Sequence, residues 1–281
     1  MKTGLLVGST GQLASDIMLL VPNDVQIIPL SRSDWDLAAT EMKSDLSSLK
    51  FDFLINTAAI TNVDYCESNP VQAHLVNDLA VAYMSRLCED QGARFIQIST
   101  DFVFDGRIGS GSSYDENGIT GPINVYGKTK LNAESHLVNS QLDYCIIRTS
   151  SLYGHKGSKA KGGNFVSKIL HKLSMNEEIS IVDDIIMSPT NTADLAKYVW
   201  NAICETGANG VFHATNAGRC SWYEFGLAVA DIGGYSQDFI QPVSSDFSKK
   251  ADRPKNSSLS SIKGVEMDYW RTSLERHISS T

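Results

Sequence analysis

Long apolar runs, blocks of like charge and paired cysteine motifs are all missing from this chain of 281 residues. No stretch of about 18 apolar residues occurs, which excludes an ordinary membrane-spanning helix. The N-terminus runs straight into a glycine turn without the apolar core of a signal peptide, so a cytoplasmic location is expected. With a formal net charge of −8 and no lysine/arginine block, nucleic acid and anionic membrane surfaces are poor partners. The five cysteines, Cys66, Cys88, Cys145, Cys204 and Cys220, show no CxxC spacing. An odd, scattered set suits free thiols in a reducing compartment and implies neither a disulfide framework nor a zinc site. What remains is a chain of ordinary composition, 42% hydrophobic, long enough for a dinucleotide-binding domain and a smaller lobe. Small molecules are the expected partners, with a homodimer as the candidate assembly.

Strand and helix signals alternate. Apolar strand candidates lie at Thr3 to Val7, Phe53 to Ile55, Phe95 to Ile98 and Tyr144 to Ile147, with helical periodicity over Val71 to Gln91 and Tyr126 to Val138. Repeated βα units predict an α/β fold with a doubly wound parallel sheet of the Rossmann type. Beyond Tyr153 the pattern loosens into a basic, glycine-rich loop from His155 to Gly163. A helix from Asn164, a strand at Ile179 to Val182 and a helix near Thr192 to Cys204 follow, and the polar segment Ser244 to Ser261 reads as loop. The expected division is a cofactor domain over 1–150, with 190–215 returning to it. A smaller, interleaved substrate-binding lobe takes 151–189 and 216–281.

The first strand leads into Gly8-Ser9-Thr10-Gly11-Gln12-Leu13-Ala14. Strand, glycine turn and helix in that order make a pyrophosphate site, because a glycine turn lets backbone N–H groups approach the anion at a helix N-terminus. The GxxGxxA spacing is wider than the usual dinucleotide fingerprint, with Ala14 in place of its last glycine. The second strand ends in Ser31-Arg32 without a carboxylate. A hydroxyl and a guanidinium there suit a ribose 2′-phosphate, so NADPH is preferred, with NADH the alternative.

Tyr126 and Lys130 stand four residues apart, on one face of a helix. A phenol near an ammonium is the layout of a proton donor with its tuner, although the same spacing also occurs on exposed helices. Thr100 and Asp101 follow a strand, at the sheet edge where open α/β sheets bind ligands. A Thr100 hydroxyl could share with Tyr126 a carbonyl oxygen that gains negative charge.

Six stretches taken together resemble the dTDP-4-dehydrorhamnose reductase family of extended short-chain dehydrogenase/reductases. They are Gly8 to Leu13, Asn56 to Glu67, Ser99 to Gly106, Asn124 to Lys130, Arg148-Thr-Ser and Arg253 to Leu259, in order over residues 1 to about 260. The resemblance implies that Tyr126 is the proton donor, Lys130 holds the nicotinamide ribose and Thr100 and Asp101 meet the sugar. It further implies that Gly8, Ser9, Thr10, Gly11, Gln12 and Leu13 hold the pyrophosphate, and Asp36 and Leu37 the adenine side. Ala58, Ala59 and Thr61 would meet the cofactor's ribose and phosphate region, with Asn77 supporting their backbone. Asn164, Phe165 and Arg253 match positions facing the substrate nucleotide. The implied reaction is NADPH-dependent reduction of the 4-keto group of a nucleotide-linked 6-deoxy sugar.

The family's usual tryptophan after Arg-Thr-Ser is Ser151 here, which keeps another 4-keto-6-deoxyhexose open as substrate. Magnesium dependence is also left open, although Asp16 lies near a position through which some members bind the ion. A 4,6-dehydratase usually carries a glutamate where Phe102 stands. The regulatory subunit of methionine adenosyltransferase resembles the chain in the same motifs, binds NADP and has no need of turnover.

Overall fold

The structure is a computed structural model and describes residues 1–39, 49–157, 162–204, 208–248, 250–264 and 267–280. Six parallel strands form its central sheet. Across the sheet they run Val25–Leu30, Lys2–Val7, Phe53–Asn56, Arg94–Thr100, Tyr144–Thr149 and Gly210–His213. The order is 2-1-3-4-5-6 by chain position, so the winding reverses between the first and third strands. At such a switch point the loops leaving the carboxyl ends diverge and open a crevice.

The inner strands are apolar on both faces because helices cover both sides, the pattern expected of a parallel sheet. Side chains alternate in direction along each strand. Leu5, Val7, Leu54, Phe95 and Ile146 pack with Val81, Met84 and Leu87 of the Ala80–Gln91 helix and Ala133 and Leu137 of the Val125–Val138 helix. On the other face Leu6, Phe53, Ile55, Ile96 and Ile147 meet Leu13 and Ile17 of the Gln12–Leu19 helix and Leu195, Val199 and Trp200 of the Thr192–Cys204 helix. The last sheet strand, Gly210–His213, follows that second helix.

A separate core gathers Tyr153, Val166, Ile169, Ile181, Phe225, Val229 and Leu274. It lies among the helices Phe165–Ser174, Trp222–Ile232 and Trp270–Ser279 and a parallel pair, Ile179–Val182 with Ile240–Val243. Residues 158–161 of the basic loop lie outside the described residues, as do residue 249 of the polar segment and the side chain of Cys204. The other four cysteines are buried free thiols.

One helix departs from expectation. Periodicity predicts a continuous helix from Val71 to Gln91, but the chain forms Pro70–His74, a π turn over Leu75–Leu79 and then Ala80–Gln91. A π turn inserts an extra residue into the helical repeat. It leaves Asn77 and Asp78 buried at 1% and 2% exposure, on the side toward the Tyr126 helix.

Gly4 explains how the first and third strands pack: a Cβ there would lie 2.2 Å from the Phe53 ring. Gly4→Ala should therefore overpack the sheet and destabilise the fold by about 1–3 kcal/mol. The expected result is a lower urea midpoint at unchanged slope.

Candidate active site

Gly8 leaves the first strand at φ +80°, and a Cβ there would sit 2.8 Å from the Ala58 nitrogen across the switch-point crevice. Its N–H donates to Leu30 O at 2.9 Å, and Gly11 N donates back to Gly8 O at 2.9 Å. The Gln12–Leu19 helix then starts at Gly11 with no side-chain cap. A side-chain-free turn and uncapped N–H groups fit a pyrophosphate. Gln12, with its amide turned to satisfy both partners, accepts from Gly154 N at 3.3 Å and donates to Lys156 O at 3.2 Å. It joins the turn to the loop after Tyr153, while Leu13 faces the core.

The opposite wall is Thr57 to Thr61. Thr57 Oγ1 donates to Val7 O at 2.8 Å and Asn56 Oδ1 accepts from Ala58 N at 3.0 Å. Asn77 accepts from Ile60 N at 2.8 Å, donates to Ile60 O at 3.1 Å and reaches Thr129 Oγ1 at 3.3 Å. Asn77 thus fixes the backbone around Ala58, Ala59 and Thr61 and ties it to the Tyr126 helix. At the sheet edge Ser31 donates its hydroxyl to Asp34 Oδ2 at 2.5 Å. The Arg32 side chain is 81% exposed and faces Asp36 at 3.4 Å. Asp36 also accepts from Ala38 N at 3.1 Å, and Leu37 packs against the core.

Thr100 ends the fourth strand and Asp101 opens a 3₁₀ turn to Val103. Against that turn lies the Val125–Val138 helix, capped by Asn124 Oδ1 on Gly127 N at 2.8 Å and by Glu67 Oε2 on Val125 N at 3.0 Å. Gly127 permits the contact, since a Cβ there would lie 2.1 Å from Phe102 O. The approach sets Phe102 edge-on to the Tyr126 ring at 5.7 Å and brings the phenol to the Thr100 hydroxyl. Burial pushes the phenol pKa up, with a smaller push from Asp101 and an opposing hydrogen bond from Thr100. Tyr126 therefore stays protonated at neutral pH.

Lys130 is 3% exposed and donates to Ile98 O at 2.7 Å. Burial lowers its pKa to about 8, against an upward pull from Glu134 one turn along. In this arrangement the ammonium is directed at backbone, at Ile98 O. Glu134 itself pairs with Arg148 at 2.7 Å and accepts from Ser99 at 2.5 Å.

Asp101 differs from expectation. The resemblance places it against the sugar, whereas the carboxylate is 3% exposed and enclosed. It accepts from Thr100 at 3.0 Å, Ser150 at 2.9 Å and Ser257 at 2.5 Å. Burial raises its pKa to about 6 against those three hydrogen bonds. Asn164 is likewise occupied: it caps the Phe165–Ser174 helix through Ser167 N at 2.9 Å and donates to Gly154 O at 2.6 Å. Phe165 packs on Trp222 and Phe225 at 4.8 and 5.6 Å. Arg253 bonds Asp64 at 2.6 Å and lies over the Phe247 ring. Ser151 takes a left-handed φ of +48° beside Ser150.

Thr100, Tyr126 and Lys130 thus meet at the carboxyl end of the fourth strand, and Thr129 ties their helix to the Asn77 wall. Sequence reasoning missed Ser150, Ser257 and Glu134. The spacing of Glu134 to Lys130 was visible, but nothing local marks the two serines. Among the described residues no group of three or more His, Cys, Asp or Glu is placed to hold a metal, and Asp16 is buried with Oδ2 unpartnered.

A switch-point glycine cradle facing a Thr, Tyr, Lys set defines an extended short-chain dehydrogenase/reductase. Comparison with known proteins agrees: the family model described as RmlD substrate binding domain matches residues 1–281. The spore coat polysaccharide biosynthesis protein SpsK of Bacillus subtilis is 31% identical over 98% of this chain and 96% of that protein. A dTDP-4-keto-6-deoxy-D-glucose reductase of Streptomyces niveus is 32% identical over 86% and 82%. The solved dTDP-4-dehydrorhamnose reductase of Bacillus anthracis, in complex with NADP, superposes with a TM-score of 0.90 at 30% identity, covering 100% and 99% of the two chains. The chain belongs to the RmlD substrate binding domain family, which is the family of the dTDP-4-dehydrorhamnose reductases.

Gly127→Ala tests the close approach of helix and turn. It should displace Tyr126 from Thr100 and lower kcat by about 10²-fold. Dinucleotide affinity at Gly8 to Gln12, followed by nicotinamide fluorescence, should change far less.

Proposed function

We propose that this protein reduces the 4-keto group of a nucleotide-linked 6-deoxy sugar with NADPH, and that the sugar is dTDP-4-dehydro-L-rhamnose, giving dTDP-L-rhamnose. The observation that carries the reading is the meeting of a protonated Tyr126, Thr100 and a buried Lys130 at the switch-point crevice. Bound NADPH supplies the hydride. Tyr126 holds the proton destined for the sugar oxygen, and the Thr100 hydroxyl, held on Asp101, would share its proton with the same oxygen. Lys130 would exchange Ile98 O for the nicotinamide ribose. Gly8 to Leu13 would hold the cofactor's pyrophosphate, with Ala58, Ala59 and Thr61 as the facing wall.

For the 2′-phosphate, Arg32 need only leave Asp36, and so exposed a pair is worth about 0–1 kcal/mol. That low cost favours NADPH over NADH. Residues 1–150 with 190–215 hold the cofactor; 151–189 and 216–281 hold the sugar nucleotide. Asn164 braces that lobe through Gly154, and Arg253 ties it to the cofactor domain through Asp64. The setting is the cytoplasm and the supply of sugars for polysaccharide. A complete Thr100, Tyr126 and Lys130 set supports turnover over a purely regulatory, cofactor-holding role. Ser151, where the family usually has tryptophan, favours a second reading, another dTDP-linked 4-keto-6-deoxyhexose. The Streptomyces relative is named for such a substrate.

The deciding assay follows NADPH oxidation with dTDP-4-keto-6-deoxy-L-lyxo-hexose beside NADH and Tyr126→Phe. Expected are rapid oxidation, a preference for NADPH and a fall of about 10²–10⁴-fold in the phenylalanine variant, the usual worth of a positioned proton donor. Wild-type rates in that variant would remove Tyr126 as donor, and inactivity on this sugar alone would transfer the reading to its isomers.

The ammonium form of Lys130 is the one that holds a ribose hydroxyl as a triple donor. Because its pKa is lowered to about 8, its charge is present below that pH and lost as pH rises through it. The free-enzyme profile of kcat/KM should therefore fall above about 8, and Lys130→Met should abolish that limb.

A further inference from the structure

Ser257 lies 156 residues from Asp101 in sequence, yet its hydroxyl donates to Asp101 Oδ2 at 2.5 Å. It belongs to a strap, Ala251 to Leu259, that runs back across the active-site edge of the sheet. Other bonds hold the strap independently of Ser257 Oγ. Arg253 and Ala251 N engage Asp64, Asn124 Nδ2 donates to Asp252 O at 2.8 Å, and Asn256 N donates to Gly106 O at 3.2 Å. Tyr114 N donates to Ser258 O at 2.9 Å. The strap is therefore anchored at several points besides the Ser257 side chain, which is 2% exposed. Its hydroxyl goes to a buried carboxylate whose other oxygen accepts from Thr100.

We propose that Ser257 is a positioning residue for the reduction, fixing the Asp101 carboxylate so that Asp101 in turn holds the Thr100 hydroxyl beside Tyr126. Ser150 shares the task at 2.9 Å on the same oxygen. The inference rests on the reading of Thr100 and Tyr126 as the reducing pair. Its consequence is that the substrate lobe's last segment supplies part of the support for catalysis, in a serine that touches neither the phenol nor the glycine cradle.

The groups that set Asp101's titration are few. Burial drives its carboxyl pKa up, and hydroxyls from Ser257, Ser150 and Thr100, in that order, oppose it. On the Val125–Val138 helix the titratable group that faces it is the Tyr126 phenol. An ionised Asp101 accepts Thr100's hydrogen bond, so activity should fall as pH drops through about 6, where Asp101 protonates. Removing Ser257's donor raises that pKa further, which moves the acid limb to higher pH.

The test is Ser257→Ala, measured against Ser258→Ala, which loosens the strap through Ser112 and Ser113 without touching Asp101. Expected for Ser257→Ala are a roughly 10- to 100-fold lower kcat, the span for losing a hydrogen bond to a charged group, an unchanged KM for NADPH and an acid limb displaced upward. Ser258→Ala should keep the wild-type limb. A Ser257→Ala enzyme with wild-type kcat and limb overturns the proposal. So does one whose activity and Tm fall together while the limb stays in place. If the wild-type enzyme does not turn over the chosen sugar, the functional reading fails separately. The Asp101 carboxyl, titrated by ¹³C NMR and assigned with Asp101→Asn, then still decides the link: no upward shift in Ser257→Ala overturns it.

Discussion

The contact that the site depends on is the approach of the Val125–Val138 helix to the carboxyl end of the fourth strand. Gly127 makes it possible, because any side chain there would collide with Phe102 O. At that separation three helical turns each find a partner on the strand. Tyr126 meets Thr100, Lys130 reaches Ile98 O and Glu134 accepts from Ser99. A helix displaced by a side chain at Gly127 would break all three together, leaving the Lys130 ammonium buried without its bond and Glu134 dependent on Arg148. A buried charge costs several kcal/mol when unpaired, so the registry of helix on strand is strongly specified.

The same burial sets the chemistry. Desolvation raises Tyr126 and Asp101 and lowers Lys130, each shift moving its group toward the neutral form. The stability consequences run in opposite directions. Asp101, raised to about 6, favours the fold most below its ordinary range and loses that advantage as pH rises through 6. Lys130, lowered to about 8, is a cost to the fold below 8 that is relieved as pH climbs toward its ordinary value. The resulting site keeps a protonated phenol beside an acid that ionises only near 6 and an ammonium that is easily neutralised, a separation made by environment alone.

Much of the fold was legible because it is written in local periodicity. Apolar runs marked the inner strands, and the Gly8 to Ala14 turn marked the cofactor edge. The π turn over Leu75–Leu79 was illegible because an extra residue in a helix does not disturb apolar spacing enough to show. Part of the site was legible too: Thr100, Tyr126 and Lys130 stand at strand-end and helical spacings that sequence reports. Asp101, Asn164 and Arg253 were found as residues, but their partners were not. Those partners, Ser257, Gly154 and Asp64, are set by tertiary folding between segments far apart in the chain. A serine in a polar stretch such as Ser244 to Ser261 carries no local mark distinguishing a surface hydroxyl from one aimed at a buried carboxylate.

Ser150 and Ser151 show what that carboxylate demands of its surroundings. Ser151 adopts a left-handed φ of +48° without being glycine, a conformation that costs an L-residue about 1–2 kcal/mol. Such strain persists only where neighbours over-determine it. Here Ser150 Oγ is drawn to Asp101 on one side, and Ser151 O accepts from Thr190 N at 3.3 Å on the other. The chain must turn sharply between these two bonds, and Ser151 absorbs the turn. A side chain at this position leaves the backbone in a direction fixed by the left-handed residue, and the hold on Asp101 fixes that residue in turn. On the proposed reading, a small residue at 151 would leave more room in the substrate lobe than the family's usual tryptophan, one position from the serine that holds Asp101.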